Sequence, residues 1–590
     1  MLVGAVLSAQ APPPRTVRNE IRATHGIVAA GRTFTVDAGA RLLAAGGNAV
    51  DAGVASIFAA AVVEISHFGL GGEAPILIYS ARDRTVIVIN GQGPAPRAAT
   101  PALFAGKPSI PGNGPLGATV PAAVDAASLA LARYGTKALS DVLAPAIELA
   151  DGFPMYEFLH HYLESERAAT EAYEWSKRTY YPNGTITPTG EMFRQPNLAA
   201  TLRAIAAGEK DALARGAPRE QAIAAGRDVF YKGSIAHEMT AAVRDAGGVM
   251  SEDDLASYHG RIEAPASVPY RGYTVYKAGF WNQGPALLQT LRLLEGFDLR
   301  GMRQGSADAV HTIVEAIKLA YADRDKYYGD PDFSPVPGPM LLSAPYAKLR
   351  RALIDPKRAS LEQRPGDPRR GTALLRTATP DVAVVRRART PPTEVGDTTS
   401  VQVADADGNL FSATPSSGWL LGGAFVAGPT GVPMSNRMQA FTLDPDSPNV
   451  LAGGKRPRTT LTPTIVLKDG RPFLAIGTPG GDSQDQQILL VLLNILDFGM
   501  DVQAAIEAPR VNSLHPASSF EDHRAQPGVL EAEATLGPAV LDELTARGHV
   551  LQIRPANGIS TGVVAAGVDP ATGRLRGGAD LRRERALVAW

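Results

Sequence analysis

Apolar positions recur along this chain in two rhythms, one helical and one alternating. Residues 37–63, DAGARLLAAGGNAVDAGVASIFAAAVV, carry apolar side chains at helical spacing, and Gly46-Gly47 breaks the run into two helices. Asn48 is placed to cap the second, because its side chain can accept a helix-start N–H. ILIYS (76–80) and TVIVIN (85–90) read as paired strands over the turn Ala81-Arg82-Asp83-Arg84. Helical spacing returns at 122–133, 139–151 and 197–207, and most clearly at 309–328. After Thr398 strands and hairpin turns take over. TSVQVADADGNLFSAT and TIVLKDGRPFLAIG each alternate about an Asp-Gly turn, and helices follow at 486–498 and 502–508. From about Pro356 to Thr393 neither rhythm holds. That stretch is rich in Arg, Pro and Thr and reads as a surface linker.

Composition narrows the function classes. The chain has 590 residues, room for several cores or one large one. Hydrophobic residues make up 45% and charged residues 20%, ordinary for a soluble globular protein. A formal net charge of −1 gives no electrostatic case for nucleic acid or an anionic membrane as a partner. There is no cysteine, which excludes disulfides, thiol catalysis and zinc–thiolate sites and suits a periplasmic or secreted location, the alternative being a cytoplasmic one. No apolar run reaches the eighteen or so residues a spanning helix needs. Residues 1–25 read as a flexible tail or the remnant of an export signal, with apolar Leu2 to Leu7 before Ala9-Gln10-Ala11.

Several familiar signals fail on their context. Asp405-Ala406-Asp407-Gly408-Asn409 resembles part of a calcium loop but lacks the closing Glu, and the hairpin turn accounts for it. Gly69 to Ala74 fits a loose dinucleotide fingerprint, yet a strand follows where a helix should. The ten histidines show no metal-binding pattern, and His160-His161 point to different helix faces. No metal and no cofactor is expected.

One residue stands out by position. Thr398 begins a strand directly after the loose segment, in VGDTTSVQVADADGN. A lone strand-initial threonine is ordinarily structural. If the Asp397–Thr398 peptide bond were cut, Thr398 would gain a free α-amine able to act as general base for its own Oγ. Here the sequence resembles the γ-glutamyltranspeptidase family of N-terminal-nucleophile hydrolases. The resemblance rests on GGNAVDA (46–52), FGLGGEAP (68–75), AYADRDKYYGDPDF (320–333), KRPRTTLTPTIV (455–466), IGTPGG (476–481) and GGADLRRERA near the C-terminus.

The resemblance implies an α+β fold, the four-layer αββα sandwich of that superfamily. It also implies self-cleavage at Asp397–Thr398 into a large subunit, 26–397, and a small catalytic subunit, 398–590, with 356–397 as a flexible tether. Thr398 would be the nucleophile, Ser416 its supporting hydroxyl, and Gly480 and Gly481 the backbone donors to the oxyanion. Gln92, Thr399, Asn436, Arg437, Thr459 and Thr460 would line the substrate, a small-molecule amide.

The departures cluster on glutamate recognition. Gln92 stands where the family has an Arg for the carboxylate, Ala440 near its Asp for the α-ammonium, Arg437 in place of a Gln, Gly418 in place of an Asn, and Glu73 in place of a Gly. The expectation is a Thr-dependent amidohydrolase or acyltransferase whose acyl group is not a plain γ-glutamyl, for example a glutaryl-like group. The alternatives are a true γ-glutamyltransferase that reads glutamate through substituted residues, and a non-enzymatic binding protein that never self-cleaves.

Overall fold

The computed structural model describes residues 16–375 and 398–590, apart from Trp419 and Glu521. Two seven-stranded sheets form its centre. The first runs in the order Ile21–Ala23, Leu575–Ala579, Val564–Val568, Arg471–Gly477, Thr464–Lys468, Tyr273–Lys277, Ala266–Tyr270. The second runs Ala586–Ala589, Gly26–Ala30, Val401–Asp405, Leu410–Ala413, Ile76–Ser80, Thr85–Asn90, Arg261–Glu263. They stack face to face, with Val401–Asp405 and Leu410–Ala413 against Val564–Val568 and Arg471–Gly477. Helices Thr33–Ala44 and Ala49–Val63 cover the outer face of the second sheet, while Pro285–Leu294, Gln484–Leu496 and Val502–Glu507 cover the first. This is the expected αββα sandwich.

Local chemistry explains most element boundaries. Asn48 accepts from the N–H groups of Val50 and Asp51 at 2.9 and 3.1 Å, and Asp51 accepts the Asn48 N–H at 2.8 Å, a complete capping box. Every residue of Ala49–Val63 is buried, as an all-round apolar helix requires. Its small side chains allow close packing: a Cβ on Gly53 would stand 2.3 Å from the Phe411 ring. In the hairpin of Thr464–Lys468 and Arg471–Gly477, Asp469 and Gly470 take φ of 49° and 74°, the paired positive values of a tight two-residue turn.

The sequence reading needs three corrections. The helix expected at 197–207 runs from Pro196 to Ala214. Its polar extension is fixed because buried Glu209 accepts the N–H groups of Leu139 and Ser140 at 2.6 Å each, capping the helix Leu139–Asp151. Residues 16–25 are not a loose tail: Ile21–Ala23 pairs with the strand Leu575–Ala579, and Val17 and Arg18 donate to Glu507. Nor is the start of the expected tether loose. Gly366 N–H donates to Asp323 at 2.7 Å, the Arg350 guanidinium holds the Ala373 carbonyl at 2.6 Å, and Arg364 pairs with Glu315 at 3.0 Å. Proline and arginine hide this order from any periodicity, because the ties run through backbone groups and charges. Residues 1–15 and 376–397, Asp397 among them, lie outside the described residues.

Candidate active site

Thr398 enters the second sheet as an isolated bridge opposite Ser416, just ahead of strand Val401–Asp405. It is buried, and its Oγ1 lies 3.4 Å from Ser416 Oγ. Thr399 N–H donates to the Pro415 carbonyl at 3.0 Å. The Thr399 side chain faces the other way: its Oγ1 and the Glu64 carboxylate crowd the point where a Gly31 Cβ would stand. Successive side chains of an extended chain alternate sides. Thr399, expected at the substrate, is therefore turned away from Ser416.

Ser416 is held by backbone and side chain together. Its N–H donates to the Glu73 carbonyl at 2.9 Å, and Glu73 N–H donates back at 2.8 Å. Its Oγ accepts from Arg437 Nη2 at 2.7 Å and from Gly418 N–H at 3.1 Å. Gly418 has φ of 93°, and a Cβ there would meet Asn436 Oδ1 at 2.2 Å, so glycine is what permits this approach. Asn436 itself donates through Nδ2 to the Gly112 carbonyl and through its backbone to Ser417.

Arg437 does not bring an uncompensated charge. Its Nε lies 3.4 Å from Glu73 Oε2, and both side chains are fully buried. Glu73 Oε1 also accepts from Thr119 Oγ1 at 3.0 Å and from Ser435 Oγ. Burial pushes the Glu73 carboxyl above its usual range, opposed by the Arg437 guanidinium and the two hydroxyls. Arg437 Nη1 has no hydrogen-bond partner among the described residues, nor does Gln439 Nε2.

Gly480 and Gly481 close strand Arg471–Gly477, whose end packs on the start of the Thr398 strand: a Cβ on Gly477 would lie 3.3 Å from Ser400 Cβ. Their carbonyls are pinned. Ser483 donates to Gly480 O through N–H at 3.0 Å and Oγ at 2.6 Å, and Gln283 Nε2 donates to Gly481 O at 3.2 Å. Their N–H groups have no acceptor among the described residues. They open on a cavity of ≈ 100 Å³ lined also by Asn512, Ser518, Phe520 and Ser560. Phe520 joins the two halves of the site. Its ring would lie 3.1 Å from a Gly481 Cβ, and Arg437 Cζ stands 5.8 Å from its centroid.

Thr459 and Thr460 are buried and are not among the residues lining this cavity. Gln283 connects them to the glycine pair, its N–H donating to Thr459 O at 2.9 Å and its amide to Thr460 O at 3.4 Å. Arg324 holds the Gln283 oxygen at 2.9 Å and pairs with Asp482, next to Gly481. Gln92 lies elsewhere. It lines a separate cavity of ≈ 280 Å³ with Asp254 and Arg456, and its amide donates to the Gly93 carbonyl. Gln283 and Arg324 were not expected at the site: Arg324 lies within the motif 320–333 but its partners Gln283 and Asp482 are far from it along the chain, and Gln283 carries no local signal. Glu73 and Arg437 were visible only as separate departures; an acid and a base replacing neutral residues together was the available clue.

A second polar cluster lies outside this site. Ligand atoms of His311, Glu315 and His549 come within 4.8 Å of one another, a spacing that could hold a metal ion. The Lys318 ammonium sits 2.7 Å from Glu315 and Arg364 pairs with its other oxygen, so cations already meet that carboxylate. His311 Nδ1 and His549 Nε2 share a hydrogen bond of 2.9 Å. Among the described residues no helix is long and apolar enough to cross a membrane.

The site can be set beside known proteins. The chain is 34% identical over 618 residues to the glutathione hydrolase proenzyme of Escherichia coli (strain K12), covering all of this chain and 97% of that one. A solved structure of LmbA2991HD is 38% identical with a TM-score of 0.90, over 98% of this chain and 100% of that one. The cephalosporin acylase of Bacillus halodurans is 30% identical with a TM-score of 0.83, over 100% and 99%. The model of the gamma-glutamyltranspeptidase family matches residues 35–590. The chain belongs to the γ-glutamyltranspeptidase family, enzymes of the N-terminal-nucleophile hydrolase superfamily.

Proposed function

We propose that this protein is a self-cleaving, Thr398-dependent amidohydrolase whose acyl group carries no α-ammonium. In the first reaction Thr398 Oγ attacks the Asp397 carbonyl, the acyl group shifts from nitrogen to oxygen, and water hydrolyses the ester. The products are an Asp397 carboxylate and the free α-amine of Thr398. In turnover that amine takes the Oγ proton as Oγ attacks the substrate amide. The Gly480 and Gly481 N–H groups hold the oxyanion, the amine product leaves with a proton, and water releases the acid. Backbone donors of this kind are typically worth about 3–4 kcal/mol of barrier.

The observation that carries the reading is the meeting of Thr398, with Ser416 as hydrogen-bond partner of its Oγ1, and two acceptor-free glycine amides at adjoining strand ends. No histidine or lysine hydrogen-bonds Thr398 Oγ1 among the described residues, so its own amine is the natural base. The test is a denaturing gel with N-terminal sequencing. The protein should run as two fragments, the smaller starting at Thr398, and Thr398→Ala should stay whole and inactive. A wild-type chain that stays whole yet turns over an amide would overturn the mechanism.

The acyl preference follows from which polar atoms lack partners. Arg437 Nη1 and Gln439 Nε2 are donors, and position 440 offers alanine where an ammonium would need a carboxylate. Acceptor-rich, ammonium-free acyl groups complete that set, a glutaryl-like group being the simplest. Each charge-assisted contact contributes about 1.5–3 kcal/mol. Glutaryl-anilide should therefore be cleaved faster than γ-glutamyl-anilide, and Arg437→Ala should erase the difference. Faster γ-glutamyl cleavage by the wild type would favour a true γ-glutamyltransferase or a glutathione hydrolase, the latter being the name of the E. coli relative.

A further inference from the structure

We propose that the cavity of ≈ 100 Å³ beyond Gly480 and Gly481 is the subsite for the leaving amine, and that Asn512 selects amines carrying a compact hydrogen-bond donor, such as a hydroxyl or primary amide. The inference rests on Thr398 being the nucleophile and on the acyl group lying toward Arg437.

A tetrahedral centre on Thr398 Oγ, with its oxyanion on the Gly480 and Gly481 N–H groups, has two further substituents. These are the acyl chain and the amine, and they leave the centre in different directions. Phe520 divides the space open to them. Its ring stands next to Gly481, and Arg437 Cζ is 5.8 Å from the ring centroid. Phe520 also walls the cavity, whereas Arg437 and Gln439 do not line it. An acyl chain directed to Arg437 therefore leaves the cavity to the amine. When the C–N bond breaks, the nitrogen takes the proton that the Thr398 amine received from Oγ, and the amine departs on that side.

The polar groups of the wall are satisfied except at one point. Both Asp482 oxygens are engaged, by Arg324 and by the Ser519 hydroxyl and N–H. Gln486 donates to the Ser513 carbonyl at 3.0 Å and accepts the Ser513 N–H at 2.8 Å. Asn512, also buried, is only half engaged. Its Nδ2 donates at 2.8 Å to Glu531, the residue opposite it on the paired strand. Its Oδ1 has no hydrogen-bond partner among the described residues. The amide cannot turn its nitrogen to the cavity without giving up Glu531. A buried carbonyl oxygen left without a partner is costly, and a donor on the bound amine would restore the bond. Leu514, Pro516 and Ala517 make the neighbouring wall apolar, which suits a short carbon chain bearing that donor.

Two isosteric amides test this. The glutaryl amides of 2-aminoethanol and of propylamine differ by a hydroxyl in place of a methyl. Their kcat/KM values are measured for the wild type and for Asn512→Leu, with thermal melts as a folding control. Comparing the ratio of the two substrates between the proteins cancels the intrinsic reactivity of the two amines. One neutral hydrogen bond contributes about 1 kcal/mol net, so the hydroxyethyl-to-propyl ratio should be about fivefold higher in the wild type. Repeating the pair as γ-glutamyl amides makes the result independent of the acyl group. Ala517→Leu narrows the same cavity without touching Asn512, and carries the test where Asn512→Leu does not fold. It should lower kcat/KM for the hydroxyethyl amide relative to the methylamide. Unchanged ratios in these variants overturn the subsite. No acyl group on Thr398 by mass spectrometry, with either acyl series, overturns the underlying reading, whereas an acylated Thr398 with unchanged ratios overturns the subsite alone.

Discussion

Gly480 shows how single residues make this site. Its φ is 126°, a region that side-chain-bearing residues rarely adopt, and a Cβ would stand 2.5 Å from Ser483 Oγ and 3.0 Å from Thr561 Cγ2. Gly481, at φ of 53°, lies where other residues fit at a cost of about 1–2 kcal/mol, with Phe520 at 3.1 Å as its nearest obstacle. Gly480→Ala should therefore damage turnover more than Gly481→Ala. Loss of one oxyanion donor lowers kcat about 10²–10³-fold, and Gly480→Ala should reach that range. Initial rates on an acyl anilide, with melts to confirm folding, check it; the opposite order of severity would remove the assigned geometry. Thr398 and the glycine pair could be proposed from the sequence because each sits inside a contiguous motif. The Glu73–Arg437 pair was not, because its members stand 364 positions apart.

Elements were legible where one periodicity ruled them and opaque where polar ties did. The hairpins and the two helices about Gly46-Gly47 appear as expected. The segment after Pro356 does not, because its order comes from contacts with the long helix Ala307–Tyr327. His311 Nε2 faces the Asp355 carbonyl, Lys318 Nζ donates to the Ser360 carbonyl at 3.0 Å, and Glu315 accepts the Ser360 N–H at 3.2 Å. His549 packs on His311, and burial, with the Lys318 ammonium next, pushes its imidazole down to about 3. His515 is pushed down to about 3 by the same two causes. In the unfolded chain an imidazole titrates near 6.5. Between those values the unfolded chain binds more protons than the folded one, so folding stability falls as pH drops from about 6.5 toward 3. Thermal melts should show that decline, and His549→Gln should flatten it relative to wild type. Parallel pH profiles for the two proteins would refute the assignment.

At the scale of the molecule, sheet order could not be read from the sequence, because the strands that pair lie far apart along it. Ala30 faces Val401, and Thr274 faces Leu467. That order has a consequence for the proposed cut. Strand Val401–Asp405 lies between Gly26–Ala30 and Leu410–Ala413, and Leu410–Ala413 pairs in turn with Ile76–Ser80. In the other sheet Thr464–Lys468 pairs with Tyr273–Lys277. Cleavage before Thr398 would leave each fragment with strands whose hydrogen bonds and apolar faces belong to the other. The two sheets bury their facing sides against each other across the same boundary. Separating the fragments would expose unpaired strand edges and most of this core, a far larger cost than a standard protein interface carries. The cleaved protein should therefore elute from a sizing column in one peak, at the volume of the uncleaved Thr398→Ala chain. Denaturant should be needed before the two fragments part, and both should be lost in a single cooperative transition. Fragments that separate in plain buffer would show that the strand pairing across the cut is not the one described.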